Sequence, residues 1–329
     1  MSAPAREERP AQDSPAWTGP ASLIEVAAYL PDTSLPLEKV ADEHGLGDSD
    51  VRKYRRFFGL DSVRWDPGAR QADLLVAAAR GLTALRGHED RVRFVIHART
   101  IEPVAPYSVN PLHEAARELG LDRAACFAVS QHACASGLLA VALSGWLLAG
   151  EPDPSALALV LTGEKTYRHV AALMPPAAVM GEASAACLVA PCGARDTLIG
   201  YTTRTYGSYH RLAAGRAELG AQFEREYPEA LAALLRSAVA QVGLDLDDVR
   251  LILPHNVNRI SWTRVGRLLD LPPERILLDY VPVTGHCFCA DPFLNYTRAR
   301  ELDLLRPGDV YLMVSVGLGA TFSAMVFRH

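Results

Sequence analysis

Lysine is nearly missing from this 329-residue chain: Lys39, Lys53 and Lys165 are the whole set, so arginine carries almost all the positive charge. Beside so much alanine, that usage reflects a GC-rich coding sequence and says nothing of mechanism. A basic excess is lacking as well. The net charge of −5 argues against a nucleic-acid partner, because phosphate binding needs a basic footprint. No apolar stretch follows the first residues: "MSAPAREERPAQDSPAWTGP" is charged and Pro/Ala-rich, unlike a secretory leader. The longest apolar run is broken by Ser144, Gly145 and Gly150, and is too short to cross a bilayer. Without a leader, Cys126, Cys134, Cys187, Cys192, Cys287 and Cys289 read as reduced thiols of a cytoplasmic protein. Cys287 and Cys289 adjoin His286, but C-x-C with one histidine and no distant pair is poor zinc spacing. No metal is expected.

What is present is ordinary for a globular protein, with 49% apolar and 22% charged residues. The length suits one large domain or two fused halves. Residues 1–20 read as a disordered tail. "SLIEVAAYLP" reads as a strand, "LPLEKVADEHGL" and "DSDVRKYRRFFGL" as short helices closed by glycine, and "ADLLVAAARGLTALRG" as an amphipathic helix. "RVRFVIHA", "ACFAVS" and "ALALVLTGE" read as strands, with helices "VNPLHEAARELGL" and the segment after Cys134 among them. "SAACLVAP" and "TLIGYTTRTY" read as a hairpin or as consecutive strands. The second half repeats the grammar: "PEALAALLRSAVAQVGL" helix, "VRLILPH" strand, "RISWTRVGRLLDL" helix, "RILLDY" strand, "DPFLNYTRARELDLL" helix, then two strands around a glycine turn. Strands alternating with helices imply an α/β fold with largely buried strands. The matching order suggests an internal duplication, with halves at 21–195 and 196–329.

Three strand-to-helix junctions hold chemistry-bearing residues. Cys134 opens the run from Leu138 to Ala149, which has no polar stripe and is expected to be buried on all sides. A cysteine there meets the positive end of the helix dipole and unpaired N–H groups, which favour thiolate. The plainer alternative is a small residue packed in a tight turn. His255 follows a strand, with Asn258 at the start of the next helix. His286 follows a glycine in a turn before another helix. Singly each histidine suits a structural role; at three junctions of an α/β fold the set reads as a site.

"ACASG" opening a buried helix, "PHNVNRI", a Gly-His turn and the closing "SVGLGATFSA" resemble the thiolase superfamily, and within it the β-ketoacyl-ACP synthase III-like group. The resemblance runs over residues 22–329. "MGEASAACLV" sits where that group carries a "GDGAGA"-like turn. The implied fold is thiolase-like: two pseudo-symmetric α/β halves in five αβαβα layers, usually dimeric, with "TIEPVAPYSVN" completing the neighbouring acyl pocket.

Carried over by position, Cys134 is the acyl-accepting nucleophile and His255 the histidine of the H-x-x-N segment. Backbone N–H groups of Cys134 and the Gly317–Gly319 turn form the oxyanion hole. His286 stands where the group carries asparagine. Elongating ketosynthases of the superfamily have a Gly-His turn there, and some acyltransferase-like members also lose the asparagine. "RKYRRFFGL" lacks the tryptophan that CoA-using members place against the nucleotide, which favours an acyl carrier protein over CoA as donor. Arg52, Arg55 and Arg56 suit an acidic carrier or, more plainly, a solvated face.

The expected activity is therefore decarboxylative carbon–carbon bond formation from acyl-Cys134, in specialised polyketide- or fatty-acid-like biosynthesis. The alternative is transfer of the acyl group to an alcohol or amine, with histidine as general base. A non-catalytic ketosynthase-like partner subunit and a cysteine hydrolase are the remaining readings. No cofactor beyond the acyl thioester is expected. Asn258, Glu164 and Asp291 are supporting candidates: Asp291 before Pro292 reads as a helix cap or as an orienting partner for His286, and Glu164 as near the site or ion-paired with Lys165 or Arg168. His132 reads as a turn residue.

Overall fold

The computed structural model describes residues 19–101, 105–106, 108–166, 173–174, 178–210 and 217–329. The tail expected at 1–20 lies outside it except for residues 19 and 20, as do parts of "TIEPVAPYSVN" (102–104 and 107) and Arg168.

The first half runs β1 (Ser22–Tyr29), β2 (Ser34–Pro36), α1 (Leu37–His44), α2 (Asp48–Lys53), β3 (Ser62–Arg64), α3 (Gln71–Arg80), β4 (Val92–Ala98), α4 (Pro111–Glu118), β5 (Ala125–Val129), α5 (Ser136–Ala149), β6 (Leu157–Gly163), β7 (Leu173–Met174), β8 (Ala178–Val179) and β9 (Ser184–Ala190). The second runs β10 (Thr197–Thr205), α6 (Ala217–Ala240), β11 (Val249–Leu253), α7 (Arg259–Leu268), α8 (Val281–Thr284), α9 (Asp291–Glu301), β12 (Val310–Gly317) and β13 (Thr321–Arg328).

Among the described residues nine strands form one sheet, ordered β11-β12-β13-β10-β1-β9-β6-β4-β5. The halves join edge to edge where Ser22 of β1 pairs with Thr197 of β10. In the first half β4 pairs in parallel with β5 and β6, while β9 is antiparallel to both β6 and β1. The second half has the same order and directions: β11 parallel to β12, and β13 antiparallel to both β12 and β10. Its outermost strand is reduced to one bridge between Ile276 and Ile252. The fold is thiolase-like, two pseudo-symmetric halves of one plan.

Period-two alternation explains the layers, since successive side chains point to opposite faces of a sheet. Along β6, Leu157, Leu159 and Leu161 pack outward with α3 and α4, whereas Ala158 and Val160 face the centre. Along β12, Val310, Leu312 and Val314 pack outward with α6 and α7, whereas Tyr311 and Met313 face the centre. Between the first-half and second-half strands of the sheet lie α5 and α9, contributing Leu138, Val141, Phe293 and Leu294 to the shared core. Strands buried on both faces read as continuous apolar runs, which is why helix and strand order was legible.

Several expectations need correction. Of the two alternatives for "SAACLVAP" and "TLIGYTTRTY", consecutive strands holds (β9 and β10) and the hairpin does not, because β1 is inserted between them. "RILLDY" is not a strand: after the Ile276 bridge, Pro282 helps divert the chain into α8. The helix expected from Pro228 starts at Ala217 and carries Pro228 inside it. Proline normally ends a helix, but Leu219, Phe223 and Tyr227 pack their faces on the second-half core and hold the earlier turns. Nor is α5 buried all round. Leu139, Leu143 and Leu147 are partly open and Trp146 is 56% exposed, one stripe at helical spacing.

Candidate active site

Three junctions bring the reactive side chains together: β5 leads to Cys134 and β11 to His255, whereas His286, expected after a strand, follows the short helix α8. Cys134 lies in the 3₁₀ turn Ala133–Ala135 that feeds α5, preceded by Ala133 at φ 47°. It is buried, and its carbonyl accepts a hydrogen bond from Ser315 Oγ on β12 (2.9 Å), so both halves hold the nucleophile turn. Gly317 continues that contact. A methyl group on it would overlap the His132 carbonyl, so only glycine lets β12 come this close. Gly319, at φ 117°, has open space where a side chain would be.

His286 does face Cys134. Its Nε2 lies 3.2 Å from Sγ, and its Nδ1 lies 2.5 Å from Asp291 Oδ2. All three residues are buried. Burial acts against a charged imidazole, but the Asp291 carboxylate and the Cys134 sulfur outweigh it and raise the His286 pKa to about 10. Asp291 is not the helix cap; Ala290 holds that position and Asp291 is the first residue of α9. Its carboxylate also accepts the backbone N–H of Asn256 (2.5 Å) and of Cys287 (2.8 Å). Such donors stabilise the anion and fix its direction. Cys134, His286 and Asp291 thus form a continuous hydrogen-bonded chain, the arrangement in which a thiol, an imidazole and a carboxylate can serve as nucleophile, base and orienting acid.

His255 occupies a different position. Its ring meets His286 edge-on at 6.2 Å between centroids, and its Nε2 lies 2.9 Å from the Tyr227 hydroxyl. Trp262 Nε1 donates to its carbonyl (2.9 Å). Burial, with added repulsion from His286, lowers its pKa to about 3, so the ring is neutral. Asn258 turns away to cap α7, accepting Ser261 N–H (2.8 Å). Asn256, next to His255 in the sequence, reaches Asp291 instead, and Asn295 Nδ2 donates to the Asn256 side-chain oxygen (2.8 Å).

Glu164 is buried close by, yet it does not pair with Lys165, whose ammonium binds Glu182 (2.6 Å). The Glu164 carboxylate accepts Thr100 N–H (2.6 Å) and Ile101 N–H (2.7 Å). Burial raises its pKa to about 7, against the pull of those two donors. The Thr100 hydroxyl it positions donates to Cys134 Sγ (3.4 Å). Cys289 Sγ bonds the Ala133 carbonyl (3.2 Å) and Cys287 Sγ the Thr284 carbonyl (3.7 Å), so the two thiols diverge. His132 starts the 3₁₀ turn, as its placement in the sequence implied. At the surface, Arg55 pairs with Glu38 (2.7 Å) and Asp61 (2.8 Å), while Arg56 lies over the Phe57 ring.

Sequence reasoning missed Thr100, Tyr227, Asn256 and Ser315. Asn256 was adjacent to a quoted histidine and could have been weighed. Thr100 and Ser315 open two of the quoted segments, "TIEPVAPYSVN" and "SVGLGATFSA", and could have been weighed as well; Tyr227 comes from an element with no such local mark.

A family model described as 3-oxoacyl-[acyl-carrier-protein (ACP)] synthase III C terminal matches residues 239–329, the stretch that supplies His255, His286 and Asp291. The first curated relatives are β-ketoacyl-[acyl-carrier-protein] synthases III, and the matches span about 30% of their length, for example 33% identity over 98 residues, 29% of the Nitratidesulfovibrio vulgaris protein. The synthase III of Pseudomonas aeruginosa is 25% identical over 326 residues, 92% of this chain and 94% of that protein. Among solved structures, ChlB3, titled an acyltransferase, superposes with a TM-score of 0.82 at 16% identity, covering 94% of this chain and 97% of that one. The synthase III of Aquifex aeolicus gives 0.79 at 19%, covering 94% and 100%. At these identities the structural likeness is one of fold. Together with the C-terminal family match and the whole-length relative, it makes the chain similar to the β-ketoacyl-ACP synthases III, whose fold it shares.

Proposed function

We propose that the chain is an acyltransferase in which Cys134 takes an acyl group from a thioester and passes it to a hydroxyl or amine. One observation carries this reading over condensation: His286 joins Cys134 to Asp291, while Nε2 of His255 is engaged by Tyr227. Decarboxylative condensation needs donors on the enolate oxygen of a malonyl-type thioester. Transfer needs a base that takes a proton from the acceptor, and a histidine fixed by a carboxylate is built for that. The ranking of the two readings from the sequence is thereby reversed. The acyltransferase title of ChlB3 agrees with it.

In the first step the Cys134 thiolate attacks the thioester carbonyl. The oxyanion is held by the N–H of Cys134 and by the Gly317–Gly319 turn, the leaving thiolate takes the proton from His286, and acyl-Cys134 remains. In the second, now-neutral His286 removes the proton from the acceptor as it attacks, and returns it to the Cys134 sulfur. Asp291 keeps Nε2 aimed at the sulfur. The donor is an acyl carrier protein or CoA thioester, and no other cofactor enters. Specialised metabolism suits the replacement of the asparagine. Among the described residues no helix is long and apolar enough to cross a membrane. The unit is a homodimer: β5 ends the sheet with an open edge, and beside it the Trp146 stripe of α5 is uncovered.

Intact-protein mass after exposure to acyl-CoA and acyl-carrier thioesters tests the first step, with Cys134→Ala as control. An adduct on the wild type alone, discharged by alcohols or amines, is the expected result. No adduct with any donor would move the chain to the non-catalytic partner class. Discharge by malonyl thioesters alone would restore condensation.

A further inference from the structure

Tyr227 lies on the part of α6 that precedes Pro228, in a row of rings formed by Tyr209, Phe223, Tyr227 and Phe322. Its ring is partly open, but its hydroxyl ends 2.9 Å from His255 Nε2. Burial pushes the phenol pKa up, so it remains protonated. His255 is neutral and therefore carries one N–H. If that proton is on Nδ1, Nε2 accepts from the phenol and has no donor to give. If it is on Nε2, the donor is consumed by the phenol oxygen. Either way Tyr227 occupies Nε2. The ring's other edge offers no substitute: the Val314 backbone lies against it, and Nδ1 makes no hydrogen bond of ordinary geometry.

Decarboxylation of a malonyl thioester breaks the bond between the α-carbon and the carboxylate. CO₂ leaves, and the electron pair passes through the α-carbon onto the thioester oxygen as an enolate. That oxygen needs hydrogen-bond donors while the charge is present. His286 Nε2 is directed at the Cys134 sulfur, so His255 Nε2 is the remaining imidazole donor. We propose that Tyr227 is a specificity-determining residue: by occupying His255 Nε2 it withholds the enolate donor, and so confines acyl-Cys134 to transfer onto a nucleophile deprotonated through His286. This rests on the transfer reading and adds to it the reason condensation is suppressed.

The experiment measures CO₂ release from malonyl thioesters by the full-length enzyme, beside Cys134 acylation in the same samples. Tyr227→Phe removes only the hydroxyl. Tyr227→Leu, which also removes it, serves if the first variant does not fold. The expected result is a rise in CO₂ release of about tenfold or more, lost again when His255→Ala is added. A folded variant that acylates Cys134 without gaining CO₂ release overturns the Tyr227 proposal and leaves the transfer reading standing. Loss of acylation together with CO₂ release overturns it too, since the hydroxyl then has a structural role. If the wild type releases CO₂ as fast as it transfers, the transfer reading itself fails.

Discussion

Replacing Asp291 by asparagine keeps the shape of the site and removes one charge. The two oxygens of Asp291 accept on both sides: Asn256 N–H and His286 Nδ1 at 2.5 Å on Oδ2, and Cys287 N–H at 2.8 Å with Asn256 Nδ2 at 3.4 Å on Oδ1. Asparagine has one acceptor oxygen, so its NH₂ group must meet donors on one side. Turned toward Cys287 it strands a buried N–H, at about 1–3 kcal/mol. Turned toward His286 it selects the tautomer that presents Nε2–H to the sulfur and cannot accept a proton there. Removing one member of a buried pair typically costs ~3–5 kcal/mol, and the two effects overlap in the same four contacts, so a total loss of about 3–5 kcal/mol is expected. The rate of acyl transfer should fall by about 10²–10⁴, the upper end being the effect of the same change in a serine triad.

The pH dependence gives a second readout. His286 is raised from 6.5 to about 10. A group raised in the fold contributes stability that is complete below its unfolded value and is lost as pH rises through the folded value. Wild-type stability should therefore decline between about pH 7 and pH 10 relative to Asp291→Asn. Urea unfolding across that range, with discharge of acyl-Cys134 followed by mass, reads both effects. A folded asparagine variant that transfers within about threefold of wild type would refute the triad, because removal of an orienting charge must then be without consequence.

Three further outcomes are expected. Glu164 is raised from 4.5 to about 7 by burial, so its ionisation costs stability between those values; in Glu164→Gln the wild type's decline from about pH 5 to pH 7 should flatten, as measured by urea unfolding. Gly317→Ala forces a methyl against the His132 carbonyl and should destabilise by ~1–3 kcal/mol, with Cys134 acylation slowed; an unchanged acylation rate would show that the β12 contact does not hold the nucleophile turn. Trp146→Glu places a charge in the exposed α5 stripe and should convert a dimer to monomers in sedimentation experiments; a dimer that persists would locate the interface elsewhere.

Much of the fold was legible because the central strands β6, β9, β12 and β13 are buried on both faces. These strands stand out as continuous apolar runs, and helices with polar outer faces separate them. Cys134 and His255 were legible because each sits at a strand-to-helix junction, a position that local pattern marks; His286 was read the same way, but it follows the short helix α8 and not a strand. Asp291 was visible only as a choice between two roles, since Asp-Pro before a helix looks the same in either. Where the sequence misled, a local rule was overridden by packing. Pro228 argued for a helix start, and the apolar face of Leu219, Phe223 and Tyr227 extended α6 past it. "RILLDY" has strand composition but makes one bridge. A helix without a polar stripe implied complete burial, and the Trp146 face of α5 is open.

By itself, then, the sequence determined an α/β protein of two similar halves with a cysteine nucleophile candidate and two candidate histidines, one of them at a strand end. Those features follow from periodicity and junction chemistry, which act over a few residues. Only the tertiary structure decided which histidine meets the cysteine, because Cys134 and His286 come from different halves and converge between the first-half and second-half strands of the sheet. It alone decided that Asp291 orients His286 and that Tyr227, from a helix the sequence cut short, engages His255. Hydrogen bonds across so many residues depend on how the layers stack, and no local pattern encodes them.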